Sequence, residues 1–267
     1  MKPTIVYQSD CGLESTRFAI VAGIIETICP NTEVMDCNLS FEKDNITMAG
    51  AYLYTNAPYW PSGTIFISEV GEGEPVAIEL NNESILLSPN NGTVTMLQDY
   101  IGMKKAYRLR EEENVYAKVA AKLASGEALS SLGEEMDLSN VVLYEFPKAI
   151  ITKGRAEGAV AMLLKTFGNL TFTIGTDEFE ETGIRTGDLV RVTFTKDGNI
   201  EWQDTCPYQP SFGYVEEGAP VVFNGSSGYM DIGLNQKNFI KRCLPQILEV
   251  KDPTQFKVVI EKVEVAE

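Results

Sequence analysis

The sequence predicts an α/β fold: an N-terminal α/β domain with a largely parallel sheet, then a C-terminal all-β domain shaped like a barrel. Three observations predict it. Residues 1–68 alternate short β-rich runs with segments of helical spacing, the pattern of a sheet covered by helices. From about residue 148 onward, β-branched segments broken by Gly, Asp and Asn turns take over. A length of 267 residues, 44% hydrophobic and 22% charged, suits two modest domains, each with its own core.

"TIVYQ" (4–8) reads as the first strand, and the polar turn "SDCGLES" follows it. "TRFAIVAGIIETI" (16–28) places Phe18, Val21, Ile24, Ile25 and Ile28 at helical spacing and is closed by Pro30. "TEVMDC" (32–37) predicts a strand, "NITMAGAYLYTNA" (45–57) a helix and "GTIFIS" (63–68) another strand. The pattern continues through "VAIEL" (76–80), "SILLS" (84–88) and a helical "VTMLQDYI" (94–101). "AYRLR" (106–110) and the alanine-rich helix "NVYAKVAAKLASG" (114–126) complete the unit. Residues 127–147, rich in Ser, Gly, Glu and Asp, read as a loop-like bridge. The expected domains are 1–130 and 148–267, with 131–147 as linker. In the second, "AIITKG", "DLVRVTFTKDGNIEW", "APVVFNGSSGYMDIGL" and "FKVVIEKVEVA" are strand-like segments ending in turns.

Charge and composition remove several functional classes. A net charge of -16 argues against a nucleic-acid backbone and against an anionic membrane surface as partners. Histidine is absent, which excludes Ser-His-Asp triads, His general acid/base chemistry and His-containing zinc sites. The five cysteines form no C-x-x-C pair and read as reduced, mostly buried thiols, and no metal site is expected. "MKPTIVYQSD" lacks the apolar core of a signal peptide, and no apolar run approaches the roughly 18–20 residues of a membrane span. The expectation is a soluble, cytoplasmic protein.

Ligands of α/β sheets gather at the carboxyl ends of strands. "SDCG" (9–12) follows the first strand, and Asp10 there is either a turn former or a bidentate acceptor for ribose hydroxyls. "SEVGEG" (68–73) follows the third strand and carries Glu69. "SPNNG" (88–92) holds Asn91-Gly92, a tight-turn pair that also stands among the ligand-binding candidates. Neither a dinucleotide fingerprint nor a Walker A sequence is present. The run Glu111-Glu112-Glu113 opens the alanine-rich helix, where its dipole favours carboxylates. In the β domain, "TFGNL" (166–170) and "NGSSGY" (224–229) are plausible hairpin turns. The serines of the second could equally hold an amino acid's carboxylate.

The order of these signals is more informative than any one of them. An S-D-x-G turn, a helix ending in "ICP", then "EVMD", "APYWPSGTIF", "SPNNGTVT", "VAAKLASG", "FGNL" and "GSSGYMDIGL" follow one another. With these motifs the chain resembles the S-adenosylmethionine (SAM) hydroxide adenosyltransferase family, which also contains the fluorinase and chlorinase enzymes, over residues 4 to 240. The resemblance implies an α/β domain followed by a β-barrel, assembled as a homotrimer with SAM between one subunit's N-domain and a neighbour's C-domain. It implies attack at the ribose C5′ carbon with methionine leaving, and SAM as substrate with no separate cofactor. It gives Asp10 the ribose hydroxyls, Asn169 and Phe212 the adenine and ribose, and Ser226 and Ser227 the methionine end. Trp60 in "PYWP" reads as core or pocket wall.

The departures are as specific. The family's hydrolases use an Asp, an Arg and a His near the reacting carbon. Here the Asp position aligns with Glu69, the Arg-bearing segment is shortened, and the His-bearing stretch has become Glu111-Glu112-Glu113-Asn114. An Asp expected just before "FGN" is replaced within Leu164-Lys165-Thr166. Because a sulfonium's leaving group departs as a neutral thioether, the chemistry needs mainly an aligned nucleophile. The candidate catalytic groups are therefore Glu69 and Glu111, either of which could orient a water and accept its proton. Carboxylates close to the sulfonium would also stabilise the charged ground state and slow its loss. They would repel a halide nucleophile, which disfavours a halogenase. Two readings follow: hydrolysis of SAM to adenosine and methionine, or a module that binds SAM or another adenosine-containing small molecule without turnover.

Overall fold

The computed structural model describes residues 2–12, 14–37 and 42–264. The chain divides into two compact units, Met1–Glu145 and Phe146–Glu267. Among the described residues no helix is long and apolar enough to cross a membrane.

The first unit is a seven-stranded sheet with helices on both faces. Its elements run β1 (Ile5–Ser9), α1 (Arg17–Ile28), β2 (Val34–Asp36), α2 (Ile46–Asn56), β3 (Ile65–Glu69), β4 (Pro75–Leu80) and β5 (Ile85–Pro89). Then come α3 (Thr95–Tyr100), β6 (Met103–Leu109), α4 (Val115–Ala124), α5 (Leu129–Leu132) and β7 (Gly133–Met136). The strand order is β2-β1-β3-β5-β4-β6-β7. The first four of these pair in parallel, and the remaining pairings are antiparallel. The change of direction has a local cause: β4 and β5 are joined by a short turn at 81–84, too short for a crossover helix, with Glu83 at φ 68.

The central strands are apolar on both sides, as buried parallel strands must be. Ile5, Tyr7, Ile65 and Ile67 face a core closed by Val21 and Ile25 of α1 and by the Ala-rich face of α4. Val6, Phe66, Ile78 and Leu86 face the opposite core, closed by Leu53 of α2 and Leu97 of α3. Trp60 packs, partly buried, against this second core. α2 begins where the Asn45 side chain accepts the Met48 N–H at 3.1 Å. Within the stretch read as a loop-like bridge, residues 133–136 add β7 to the sheet edge beside β6. Four residues are too few to show alternation; the pairing comes from close approach, since a Cβ on Gly133 would lie 2.8 Å from the Arg108 carbonyl.

The second unit contains β8 (Ile150–Thr152), β9 (Arg155–Leu164), β10 (Asn169–Gly175), β11 (Leu189–Lys196), β12 (Asn199–Pro207), β13 (Pro220–Asn224), β14 (Tyr229–Leu234) and β15 (Lys257–Lys262). The antiparallel order is β12-β11-β15-β9-β10-β14-β13, with β8 on β9. A bridge between Tyr208, just after β12, and Val222 of β13 nearly closes the sheet into a barrel. Leu170, Phe172, Phe194, Val222 and Ile232 fill its interior. Trp202 stacks edge-on against Phe239, with centroids 4.9 Å apart.

Candidate functional site

In the first unit the chain moves from β1 outward to β2 and then back across β1 to β3, so the order reverses between β1 and β3. A crevice opens at such a switch point, at the carboxyl ends of the strands. Ser9 and Glu69 are register partners there, and Asp10 follows directly. The Asp10 N–H donates to the Glu69 carbonyl at 3.4 Å.

Glu69 is the centre of a compact network. Arg17, the first residue of α1, donates from Nε to Glu69 Oε2 and from Nη2 to Oε1, each at 2.6 Å. Its remaining terminal nitrogen, Nη1, donates to Asn114 Oδ1. Tyr7 donates its hydroxyl to Glu69 Oε2 at 3.0 Å. Both side chains of the ion pair are largely enclosed, Glu69 at 12% and Arg17 at 25% exposure, so solvent screens the pair only partly. Hydrogen bonding to Glu69 raises the Arg17 pKa further. Burial first, and then the Glu69 charge, push the Tyr7 and Tyr116 hydroxyls well above their ordinary range, so both stay protonated. Asn114 reaches the network from a left-handed conformation, φ 56, immediately before α4.

Glu69 and Tyr116 border a cavity of about 810 Å³, lined also by Glu72, Glu74 and Glu111. The two candidate carboxylates therefore share one cavity. Arg108 also lines it, ion-paired to Glu74.

Asp10 Oδ2 accepts the backbone N–H groups of Asp44 at 2.7 Å and Gly71 at 3.2 Å. Asn91 is bonded on both sides of its amide. It donates to the carbonyls of Val70 and Glu72 at 2.9 and 3.3 Å, and accepts from the Thr93 hydroxyl at 2.8 Å. Asn91 thus shapes the 70–73 segment that walls the cavity. Gly71, at φ 67, has Ile46 and the Asn91 amide within 3.2 Å of where a Cβ would stand, so this segment requires glycine.

In the second unit the remaining candidates collect on the outer face of the barrel wall. Thr171 pairs with Asp231, and Phe223 with Asp231. Directly opposed residues share a face, and so do residues two apart. Asn169, Thr171, Asp231, Gly233 and Phe223 therefore lie together, opposite the Leu170 and Ile232 side of the same strands. Asn169 is buried at 6% exposure, and a Cβ on Gly233 would stand 2.4 Å from its Oδ1. Phe212 packs edge-on against Phe223 at 5.6 Å and 85°. Ser226 and Ser227 sit in the turn joining β13 to β14, pinned where Thr176 donates its N–H to the Gly228 carbonyl at 2.9 Å.

Three groups at these sites left little mark in the sequence. Arg17 had a signal, a lone cation seven positions after Asp10 at the start of a helix. Tyr7 reads as an ordinary strand residue. Asp231 sits in an apolar alternation where its burial is visible only from the packing.

The comparisons with known proteins agree with this architecture. The SAM hydroxide adenosyltransferase N-terminal domain model matches residues 5–133, and the corresponding C-terminal domain model matches residues 163–246. A fluorinase from Actinopolyspora mzabensis is 25% identical, over 88% of this chain and 91% of that protein. An (R)-S-adenosyl-L-methionine hydrolase from Thermus thermophilus is 26% identical, over 88% of this chain and 93% of that protein. The crystal structure of an uncharacterized conserved protein from Thermotoga maritima superposes with a TM-score of 0.82 at 23% identity, covering 96% of this chain and 99% of that one.

Proposed function

This chain belongs to the SAM hydroxide adenosyltransferase family, and we propose that it hydrolyses SAM to adenosine and methionine through a centre built from Glu69 and Arg17. The observation that carries this reading is the bidentate Arg17–Glu69 pair at the carboxyl ends of β1 and β3.

Glu69 Oε2 already takes two hydrogen bonds, whereas Oε1 takes one from Arg17. A carboxylate oxygen has two lone pairs, so Oε1 retains one for a water in the cavity. The water oxygen attacks C5′, the C5′–S bond breaks, and methionine leaves with the sulfur's electron pair as a neutral thioether. The water's proton passes to Glu69, or to Glu111 on the same cavity wall, and then to solvent. Arg17 has a second effect. By neutralising Glu69 it removes much of the ground-state stabilisation that a bare carboxylate would give the sulfonium.

Asp10 holds the ribose hydroxyls in this reading, Asn169 and Phe212 the nucleoside, and Ser226 and Ser227 the carboxylate of the methionine end. Family likeness carries the homotrimer and the cytoplasmic location. A halide nucleophile is disfavoured because four glutamates line the cavity and two of them, Glu69 and Glu74, are ion-paired, with Arg17 and Arg108, leaving Glu72 and Glu111 to repel an anion. The second reading, binding without turnover, is favoured by one observation: the Glu69 carboxylate is already engaged by three donors.

Incubation of the purified protein with SAM, followed by chromatography with mass detection, separates the two. Adenosine and methionine formed in proportion to protein, and lost in Arg17→Ala, support the hydrolase. SAM that binds and is recovered intact establishes the second reading. No binding at all removes both.

A further inference from the structure

Asp231 is a buried acid, 4% exposed, on a barrel face that nothing in the proposed reaction centre uses. Thr171 opposes it from β10 and Phe223 from β13. The turn before β14 presses on it, with Gly225 so close that a Cβ there would stand 2.7 Å from Asp231 Oδ1. Oδ1 has no hydrogen-bond partner. Among the described residues placed on this face, Asn169, Thr171, Phe223, Gly225 and Gly233, none titrates. Burial raises the Asp231 pKa to about 7, with the nearby Thr171 hydroxyl tempering the rise. Buried polar atoms are nearly always satisfied, so the bare Oδ1 marks a place where a partner is missing.

The chemistry of that partner follows from its surroundings. The bare oxygen needs a hydrogen-bond donor, and a donor that is also cationic offsets the cost of burying the ionised carboxylate. An ammonium is both, and a sulfonium has no donor. Asp231 lies below the 225–228 turn that carries Ser226 and Ser227, which the proposed function assigns to a carboxylate. In an α-amino acid the carboxylate and the ammonium share one carbon, so their partners must be neighbours.

We infer that Asp231 is the binding residue for the α-ammonium of the ligand's amino-acid end. The inference rests on the SAM reading and adds the residue that recognises the cationic half of that ligand. In the free protein near pH 6 the carboxyl holds its proton; binding of the ammonium converts it to the carboxylate and releases that proton to the buffer.

Isothermal titration calorimetry with two ligands tests this, in buffers of different protonation enthalpy at about pH 6 and pH 8. S-adenosylhomocysteine carries the ammonium but, lacking a sulfonium, has no activated leaving group. 5′-Methylthioadenosine lacks the amino-acid end altogether. The expected result is release of close to one proton per site at pH 6 and almost none at pH 8 for S-adenosylhomocysteine. Its Kd should tighten about tenfold across that interval, because the free carboxyl no longer has to give up a proton. Methylthioadenosine should show neither effect. Asp231→Asn should abolish the proton release and weaken S-adenosylhomocysteine about tenfold or more, with methylthioadenosine unchanged. Equal losses for both ligands in Asp231→Asn, or proton release by the wild-type protein that is the same for both, would overturn the inference and leave the SAM reading standing. The wild-type proton count needs no variant, so it decides the matter even if Asp231→Asn does not fold. Failure of the wild-type protein to bind either ligand would remove the SAM reading and this inference with it.

Discussion

Arg17 and Glu69 meet through two parallel N–H···O bonds of 2.6 Å, although they are 52 positions apart in the chain. The guanidinium fork matches both carboxylate oxygens, and Asn114 fixes the other end of the arginine. A lysine cannot reproduce this arrangement, because a single ammonium lacks the fixed fork. Arg17→Lys is therefore expected to keep the charge and lose the orientation. SAM turnover should fall on the order of 10²-fold, the cost of removing one preorganised donor. The rate of adenosine release is the measurement, and a rate within twofold of wild type would show that only charge matters.

Tyr7 contributes to the same carboxylate from inside the sheet. Tyr7→Phe removes the hydroxyl and leaves the ring in its packing against Phe18, 5.8 Å away between centroids. The loss should be about 1.5–3 kcal/mol of unfolding free energy, as for a hydrogen bond to a charged group. Urea denaturation reads this directly; an unchanged midpoint would mean that water replaces the hydroxyl.

Gly233 is the position where a single methyl group should separate binding from folding. The new Cβ of Gly233→Ala would stand 2.4 Å from Asn169 Oδ1, so the Asn169 side chain must rotate away. Nucleoside affinity should fall while the barrel core, on the opposite side of the strand, keeps its packing. Adenosine titration paired with a thermal melt tests this, and full affinity in the variant would argue against a ligand role for Asn169.

Asp231 also makes a stability prediction whose sign is opposite to that of a salt-bridged acid. Its folded-state value of about 7 lies above the ordinary carboxyl value of 3.8, so between these limits the folded protein binds more protons than the unfolded chain. Stability is highest below pH 4 with respect to this group, declines as pH rises toward 7, and is level above that. Asp231→Asn does not titrate. Its advantage over wild type should be near zero at pH 4 and grow to as much as about 4 kcal/mol at pH 8. Denaturation curves at the two pH values check it; an advantage independent of pH would show that ionisation is not its source.

How much of this was legible depends on whether the signal was local. The α/β and β-rich halves and the helices over 17–28, 46–56 and 115–124 follow from periodicity, because burial of one face leaves a repeating mark on the chain. The placement of Asp10 and Glu69 at strand ends was readable for the same reason, since apolar runs end where the sheet ends. The strand at 133–136 was not, because its apolar pattern is too short and its partner, β6, is distant in sequence. Nor was Asp231, which reads as the polar position of an alternating strand and turns out to be buried.

By itself, then, the sequence determined the two architectures, the order of the ligand-loop motifs and the loss of every histidine-based mechanism. Only the tertiary structure decided which cation answers Glu69 and which acid is buried with no cation beside it among the described residues. Pairings of that kind depend on where the ends of α1, β3 and α4 converge in space, and on how tightly a turn closes over a strand. A one-dimensional pattern records which faces are buried, and it carries no information on which polar groups are buried together.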